Sequence, residues 1–249
     1  MKQVVIVLAL FAVLVPAAVV LADAALQNTT VTTHAFPGPI DAIVVRSERG
    51  DVELVPGRGL SVRVRETRHY LLKQPTLERD VRGGTLTLDA HCEGAIVTCV
   101  SDLRVSVPAG ATVRLDVGSG DVDARGIDVG EARLRSDSGD LRLELIGRQQ
   151  RVRARTDSGD IDVRARDARV IDAQTDSGDV VVAASARPRR IRAVADSGNV
   201  RVVVPAGAYA TTPKTDSGNV TEDGIFRNDR AASAIEARTD SGDVTLDGQ

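Results

Sequence analysis

A short acidic phrase recurs through the second half of the chain and supplies its most concentrated set of chemically useful side chains. Asp-Ser-Gly-Asp occupies residues 137–140, 157–160, 176–179 and 240–243, and Asp-Ser-Gly-Asn occupies 196–199 and 216–219. Carboxylate oxygens brought together at regular spacing are ligands for Ca²⁺. If successive copies stack, the candidate calcium ligands are Asp137, Asp140, Asp157, Asp160, Asp176 and Asp179. Calcium binding is therefore one hypothesis for this phrase.

The same phrase has a structural interpretation, which the surrounding sequence favours. Asp accepts backbone N–H bonds in an Asx turn, and Gly tolerates the positive φ of a tight turn. Arg135 and Arg155 stand two residues before an Asp and would screen the acidic column. Calcium-binding β-rolls use a nonapeptide repeat, which this chain lacks. The predicted turn glycines are Gly120, Gly139, Gly159, Gly178, Gly198, Gly218 and Gly242. Calcium remains the lesser alternative, and no other cofactor is expected.

The sequence gives little support to catalysis. A nucleophilic serine requires a neighbouring base, and the three histidines, His34, His69 and His91, all lie outside the repeat. Glycoside hydrolysis requires paired carboxylates, usually with aromatic subsites, and aromatic residues make up 2% of the chain. The net charge of −3 leaves no broad basic field for nucleic acid. We expect neither an enzyme nor a nucleic-acid-binding protein.

The first part of the chain is predicted to direct the rest out of the cytoplasm. Residues 4–22 carry no charge and are followed by a small-x-small cleavage pattern at Ala22-Asp23-Ala24. Residues 1–24 are therefore a signal peptide or a retained anchor helix, and the sequence leaves both open. Cys92 and Cys99 are the only cysteines, and outside the cytoplasm we expect them to form a disulfide. Residues 25–37 are predicted to be a polar linker.

The spacing of the phrases predicts the architecture that would position them. The turn glycines recur at steps of 19, 20, 19, 20, 20 and 24 residues, which is typical of stacked supersecondary units. Apolar residues alternate with polar ones on both sides of each phrase, so each copy is a strand, a tight turn and a strand. We predict an all-β, single-stranded β-helix, or β-solenoid, with about 20 residues per coil. It would span residues 38–249, less regular over 38–117 and regular over 118–249.

The predicted end of the solenoid bears on self-association. Pro213 removes a backbone donor, and Glu222 falls in an inward-facing column. After the phrase at 240–243 the sequence shows no amphipathic capping helix, so we expect an open rung at that end. An open strand edge is a template for pairing with another chain.

The sequence also resembles a known family. Three features carry the resemblance: residues 104–113 (Arg-Val-Ser-Val-Pro-Ala-Gly-Ala-Thr-Val), Gly-Ser-Gly-Asp-Val at 118–122, and the later Ser-Gly-Asp-Val phrases. They are similar to sequences of the bacterial putative-adhesin domain family of unknown function. The resemblance covers roughly residues 38–249. It implies a β-solenoid-like domain on the cell envelope, and it brings no catalytic residues.

Together these observations predict a non-enzymatic cell-envelope or secreted protein with a structural, adhesive or protein-binding role. The alternative is an envelope stress or regulatory module that binds a partner protein, and a polysaccharide-acting enzyme is less favoured. The expected partners are an envelope or surface protein or a glycan, and the membrane itself if residues 1–24 are retained.

Overall fold

The described part of the chain is built from β-strands and contains no helix. A computed structural model describes residues 28–94 and 99–249, with the backbone alone at residues 148–150. The strands are β1 (Asn28–Phe36), β2 (Ala42–Arg49), β3 (Val52–Pro56), β4 (Val62–Tyr70), β5 (Thr76–Arg82), β6 (Thr85–His91), β7 (Cys99–Val107), β8 (Ala111–Ser119), β9 (Val122–Ile127), β10 (Val129–Ser138), β11 (Leu141–Ser158), β12 (Ile161–Ser177), β13 (Val180–Ala184), β14 (Arg190–Ser197), β15 (Val200–Val204), β16 (Gly207–Ser217), β17 (Val220–Asp223), β18 (Ile225–Arg227), β19 (Ala234–Ser241) and β20 (Val244–Gly248). Within these ranges no helix is long and apolar enough to cross a membrane. The predicted signal or anchor at 1–24 lies outside the described residues.

One rung consists of a strand that enters an Asp-Ser-Gly corner and a strand that leaves it. The entering strands form one parallel ladder, here called the front sheet, and the leaving strands form a second, the back sheet. In the front sheet Ala132 lies opposite Val152, and in the back sheet Leu141 lies opposite Ile161. The inward side chains of both sheets form one buried cluster, almost entirely of Ala, Val, Leu and Ile. The predicted all-β solenoid is confirmed.

The rungs do not stack in chain order at either end. The front-sheet order is β6, β2, β8, β10, the second half of β11, the second half of β12, β14, β19 and β16. The back-sheet order is β7, β3, β9, the first half of β11, the first half of β12, β13, β15, β20 and β17. The final rung, β19 and β20, is therefore paired on both sides. This corrects the prediction that the rung at 240–243 forms the open end.

The C-terminal end of the stack is instead the rung of β16 and β17, whose edge is poorly suited to pairing. Ala210 N donates to Ser233 O at 2.9 Å, toward β19. Backbone N–H groups alternate sides along a strand, and Pro213 is three residues after Ala210. The backbone nitrogen of Pro213 therefore faces away from β19, toward the open edge. An outward proline leaves the inner ladder intact and removes a donor from the open edge. Glu222 is exposed at the same end. These features argue against the predicted self-association through this end.

The N-terminal end is covered by antiparallel strands, and one of them replaces a predicted linker. β5 pairs with β6, while β4 pairs with β7 on one side and with β1 on the other. Residues 28–36 therefore form strand β1, whereas the sequence predicted a polar linker over 25–37. The segment is polar because an edge strand buries one face only, and its Thr and Val residues favour strands.

Candidate functional site

The corners require glycine for two separate reasons. Gly159 has a φ of +137°, in a region that residues with a Cβ rarely enter. A Cβ at this position would lie 2.2 Å from the carbonyl oxygen of Gly139 in the preceding rung. The seven predicted turn glycines share φ values from +133° to +151° and leave 2.0–2.2 Å to a neighbouring glycine carbonyl oxygen. Stacking at the corner thus depends on the missing side chain.

The last residue of each phrase holds one rung to the next. Asp140 Oδ1 accepts the backbone N–H of Asp160, and Asp160 Oδ1 accepts that of Asp179, at 2.9 and 2.8 Å. Asn199 Oδ1 accepts the N–H of Asp243 at 2.9 Å, so an amide serves as well as a carboxylate. Eight acceptors continue this ladder along the stack: Asp102, Asp51, Asp121, Asp140, Asp160, Asp179, Asn199 and Asp243.

The six predicted calcium ligands are thus divided between two environments. Asp140, Asp160 and Asp179 belong to the backbone ladder, and Asp137, Asp157 and Asp176 are exposed at the front of the corner. Arg135 Nη2 lies 3.6 Å from Asp137 Oδ1 and 3.8 Å from Asp157 Oδ2. Across residues 28–94 and 99–249, no group of three His, Cys, Asp or Glu side chains is placed to hold a metal ion. Turn formation explains the phrase without a metal.

The front sheet presents a lattice of arginines on three neighbouring strands. In its central row Arg133 lies opposite Arg114 on one side and Arg153 on the other. Flanking rows place Asp116, Arg135 and Arg155 together, and Thr112, Glu131 and Arg151 together. We call the six arginines of these nine positions the arginine patch: Arg114, Arg133, Arg135, Arg151, Arg153 and Arg155. Six arginines against two acidic residues leave a net charge of +4.

The back sheet of the same rungs arranges its charges in the opposite way. Arg142 lies between Asp123 and Asp162, and Glu144 lies between Arg125 and Arg164. We call these six positions the checkerboard, since each charge has opposite neighbours across the ladder and the set is neutral. Arg125 and Arg164 each bind the aspartate two residues earlier on the strand, at 2.5 and 2.8 Å. The front sheet is therefore distinctive for its unbalanced charge, not for its arginine content alone.

Like charges opposite one another on paired strands destabilise a sheet by a fraction of a kcal/mol per pair, about 0.2–1. The central row has two such pairs. Arg133 is partly compensated by Glu131 at 2.8 Å, and Arg153 by Asp172 at 3.3 Å. In the described part of the chain Arg114, Arg151 and Arg155 are exposed and show no carboxylate within 4.0 Å. A bound anion would relieve this repulsion.

Comparison with known proteins assigns the fold to a family. Residues 100–247, more than half of the chain, match the Toastrack DUF4097 family. The chain belongs to this family. The rungs that carry the corner ladder, the arginine patch and the checkerboard all fall within the matched Toastrack region or pair directly with it. No curated protein matches the chain.

Solved structures with a similar strand arrangement have low sequence identity to this Toastrack chain. A putative cell adhesion protein from Clostridium sporogenes is 8% identical, with a TM-score of 0.41, over 90% of this chain and 100% of that one. A putative adhesin from Bacteroides fragilis is 13% identical, with a TM-score of 0.48, over 87% and 97%. A putative adhesin from Parabacteroides distasonis is 14% identical, with a TM-score of 0.40, over 88% and 97%.

A buried carboxylate joins the covering strands at the N-terminal end of the Toastrack stack. Glu66 of β4 is fully buried and accepts bonds from Arg68 Nε at 2.7 Å and Nη2 at 2.6 Å. Ser101 of β7 and Thr32 of β1 donate to the same carboxylate at 3.0 and 3.2 Å. With both oxygens paired, Glu66 ties three strands together and is a structural group.

His34 of β1 lies on the same inner surface, and its protonation equilibrium is shifted toward the neutral form. Burial, reinforced by the Arg79 guanidinium, lowers the pKa of the His34 imidazole below its usual value, against the opposing effect of Glu66. Arg79 Nη1 lies 2.7 Å from His34 Nε2, which requires an unprotonated acceptor nitrogen. The folded state therefore favours neutral His34.

One hydroxyl–imidazole–carboxylate series occurs on the outer surface of the covering strands. Thr29 Oγ1 lies 3.2 Å from His69 Nδ1, and His69 Nε2 lies 3.4 Å from Asp102 Oδ2. Thr29 is fully on the surface, and Asp102 Oδ1 already accepts the N–H of Asp51. A nucleophile also needs oxyanion donors in a cavity that excludes water, whereas Thr29 lies exposed on an edge strand. We assign the series no catalytic role.

The two cysteines are joined in the structure. A disulfide links Cys92 at the end of β6 to Cys99 at the start of β7, with a Cα–Cα distance of 6.2 Å. It therefore connects the front and back strands of the N-terminal rung.

Sequence reasoning missed the arginine patch although its signal was present. The aligned copies carry arginine four residues before the first Asp at Arg133, Arg153 and Arg192, and two residues before it at Arg135 and Arg155. Only Arg135 and Arg155 were interpreted from the sequence, as screens for the Asp column, and the arginines four residues before the Asp were given no role. Their excess becomes visible when the opposite sheet, with its balanced charges, is compared.

Proposed function

We propose that this protein is a non-enzymatic binding protein of the cell envelope, and that the arginine patch is the surface that binds its ligand. The observation that carries the proposal is the in-register row of Arg114, Arg133 and Arg153 beside a neutral checkerboard on the back of the same rungs. A sheet that only needed solubility could alternate its charges on both faces. The unbalanced row is the expected arrangement for an anionic ligand.

The ligand that fits best is an extended acidic polymer, such as a polyuronic acid. Arginines opposite one another are spaced by the interstrand distance, about 4.8 Å, so the row offers a cation at each rung. A chain of acidic sugars lying along the stack can place successive carboxylates on successive guanidinium groups, which bind carboxylates in bidentate fashion. The groove lined by five of the six patch arginines is partly open to solvent, which suits a polymer better than a small enclosed ligand.

The composition of the face favours an acidic glycan over nucleic acid or a lipid surface. The aromatic residues of the described chain are Phe36, Tyr70, Tyr209 and Phe226, and none lies on β8, β10 or β11. Bases would lack stacking partners there. The exposed residues of the patch are charged or polar, so the face also lacks apolar side chains that insert into a bilayer.

An extracytoplasmic site of action is part of the proposal. The uncharged segment at residues 4–22 and the cystine at Cys92 and Cys99 support it, since disulfides persist in oxidising compartments. A polymer-binding sheet would be of use where acidic glycans occur, at the cell surface.

The test compares two triple variants in the full chain. Arg114→Gln/Arg133→Gln/Arg153→Gln neutralises the central row, and Arg125→Gln/Arg142→Gln/Arg164→Gln removes as many charges from the checkerboard. Binding to immobilised polygalacturonate is measured by biolayer interferometry in non-ionic detergent, with methyl-esterified polygalacturonate as the uncharged probe. We expect the patch variant to lose at least tenfold in affinity, from about 1.4 kcal/mol or more over three contacts.

The checkerboard variant should bind within about threefold of the wild type, and the methyl ester should not bind. Both variants should melt close to the wild type, because the substituted side chains are exposed. Equal losses in the two variants, or equal binding of the methyl ester, would refute the proposal. Binding to anionic vesicles with none to polygalacturonate would identify a membrane surface instead and would equally refute it.

A further inference from the structure

Strand β1 has an edge that no strand in the described part of the chain covers. All nine residues of Asn28–Phe36 pair with β4 without a bulge, from Asn28 opposite Tyr70 to Phe36 opposite Val62. On its other side, no pairing is present within residues 28–94 and 99–249. A regular edge of this length is a template for another strand.

The direction of the unpaired groups follows from the neighbouring ladder. Arg63 N donates to Ser106 Oγ of β7 at 2.7 Å, so the odd-numbered residues of β4 point their N–H toward β7. The even-numbered ones, including Glu66, then pair with β1, where Thr32 lies opposite Glu66. The free backbone groups of β1 therefore belong to its odd-numbered residues: Thr29, Val31, Thr33 and Ala35.

The other open edges carry features that oppose pairing, and β1 carries none. β16 has the outward Pro213 followed by Lys214, and four of the seven residues of β5 are charged. β1 has the sequence Asn-Thr-Thr-Val-Thr-Thr-His-Ala-Phe, without Pro, Gly, Asp, Glu, Lys or Arg. Its outward side chain Val31 is 47% exposed. The contrast matters because natural edges are usually blunted by charge, proline or a bulge.

We propose that β1 pairs antiparallel with β1 of a second copy of this chain, centred on Thr32. In this register Thr32 faces its own equivalent, and the residues with free backbone groups meet as Val31 with Thr33 and Thr29 with Ala35. The pairing uses all nine residues and joins two β7–β4–β1 sheets into one. The two-fold symmetry makes the contact self-complementary and closes the assembly at two copies.

A second copy fits this edge better than a charged peptide. β1 carries no fixed charge, so two copies meet without repulsion, and the edge offers no charged side chain to an acidic or basic segment. Cross-strand Thr–Thr and Thr–Val pairs are favourable in antiparallel sheets. A dimer would also present two arginine patches and could raise the avidity for a polymer, although this inference stands without the proposed function.

The register can be tested by a single substitution. Thr32→Cys places a thiol at the centre of the pair, where non-hydrogen-bonded residues have Cα atoms about 4.5 Å apart, within reach of a disulfide. The two native cysteines are already bonded to each other, so no other thiol competes. We expect most of the full-length variant, oxidised in non-ionic detergent, to run as a dimer on a non-reducing gel. Thr212→Cys, on the exposed surface of edge strand β16, is the matched control and should remain monomeric.

A second variant separates edge pairing from folding. Thr33→Pro removes an N–H that points to the free edge and leaves the β1–β4 ladder intact. In sedimentation velocity the wild type should show twice the monomer mass, and Thr33→Pro should weaken the dimer about tenfold or more. Combined with Thr32→Cys it should abolish the cross-link. A monomeric wild type, or equal cross-linking of Thr32→Cys and Thr212→Cys, would overturn the proposal, and neither result would affect the glycan test.

Discussion

Replacing Gly159 by alanine should destabilise the solenoid far more than the same change at Gly126. Both glycines have a positive φ, +137° and +62°. A Cβ at Gly159 would lie 2.2 Å from the carbonyl oxygen of Gly139, whereas nothing lies within 4 Å of one at Gly126. The comparison separates backbone strain from the close approach of two rungs.

The magnitude follows from the contacts at the corner. The φ of Gly159 lies in a region occupied almost only by glycine, where a side chain costs about 1–3 kcal/mol. To relieve the contact with Gly139 the two rungs must separate, which strains the bond from Gly139 N to Ser158 O and the bond from Asp160 N to Asp140 Oδ1, both 2.9 Å. Each bond contributes about 1 kcal/mol, so we expect a loss of about 3–5 kcal/mol. Gly126→Ala should cost about 1–2 kcal/mol, the left-handed penalty alone.

Thermal unfolding followed by far-UV circular dichroism measures the difference. For a chain of this size each kcal/mol corresponds to about 2–4 °C in Tm. Gly159→Ala should therefore melt about 6–20 °C below the wild type, and Gly126→Ala about 2–8 °C below it. Equal melting temperatures for the two variants would refute the claim that rung stacking depends on the missing side chain at the corner.

Three further outcomes are expected from the corner ladder and the N-terminal strands. Asp160→Asn should leave the melting temperature nearly unchanged, because the amide oxygen can still accept the N–H of Asp179, as Asn199 does for Asp243. Asp160→Ala removes this acceptor and should cost about 1–2 kcal/mol of stability. Equal losses in the two variants would contradict the ladder. Because folding lowers the pKa of His34, the unfolded state binds more protons as the pH falls below about 6.5. Stability should therefore drop there by more in the wild type than in His34→Gln, and identical pH profiles of Tm would contradict the shift. Glu66→Ala should lower the free energy of unfolding by about 3–5 kcal/mol, because it leaves Arg68 without its buried partner. Glu78→Ala, at an exposed position, should cost about 0.5 kcal/mol. Similar urea midpoints for the two variants would contradict the structural role of Glu66.

The strand–turn–strand unit could be predicted because its causes are local. A Gly such as Gly159 and an Asp such as Asp160 fix a corner, and alternating apolar residues fix the buried face. The spatial order of the terminal rungs could not be predicted, since the inward columns of Ile191, Thr211 and Ile235 are compatible with stacking in more than one order.

The candidate site lies in the register between strands, which no single repeat contains. Arg133 is unremarkable in its own strand and becomes a site only when Arg114 and Arg153 fall directly opposite it. Strand β1 was missed for a related reason: its pairing partner, β4, begins 26 residues after β1 ends. Glu66 was missed because its donors Thr32 and Ser101 come from two other strands.

The salt dependence of polygalacturonate binding tests the central claim most directly. Ion release makes the logarithm of the affinity fall linearly with the logarithm of salt concentration, with a slope near the number of neutralised charges. For the full-length wild type we predict a slope of about −3 to −5, set by the net charge of +4 over the nine positions that contain the arginine patch. In Arg114→Gln/Arg133→Gln/Arg153→Gln the slope should become shallower by about two to three. An unchanged slope in that variant, or a wild-type affinity that does not depend on salt, would show that the arginine patch is not the binding surface.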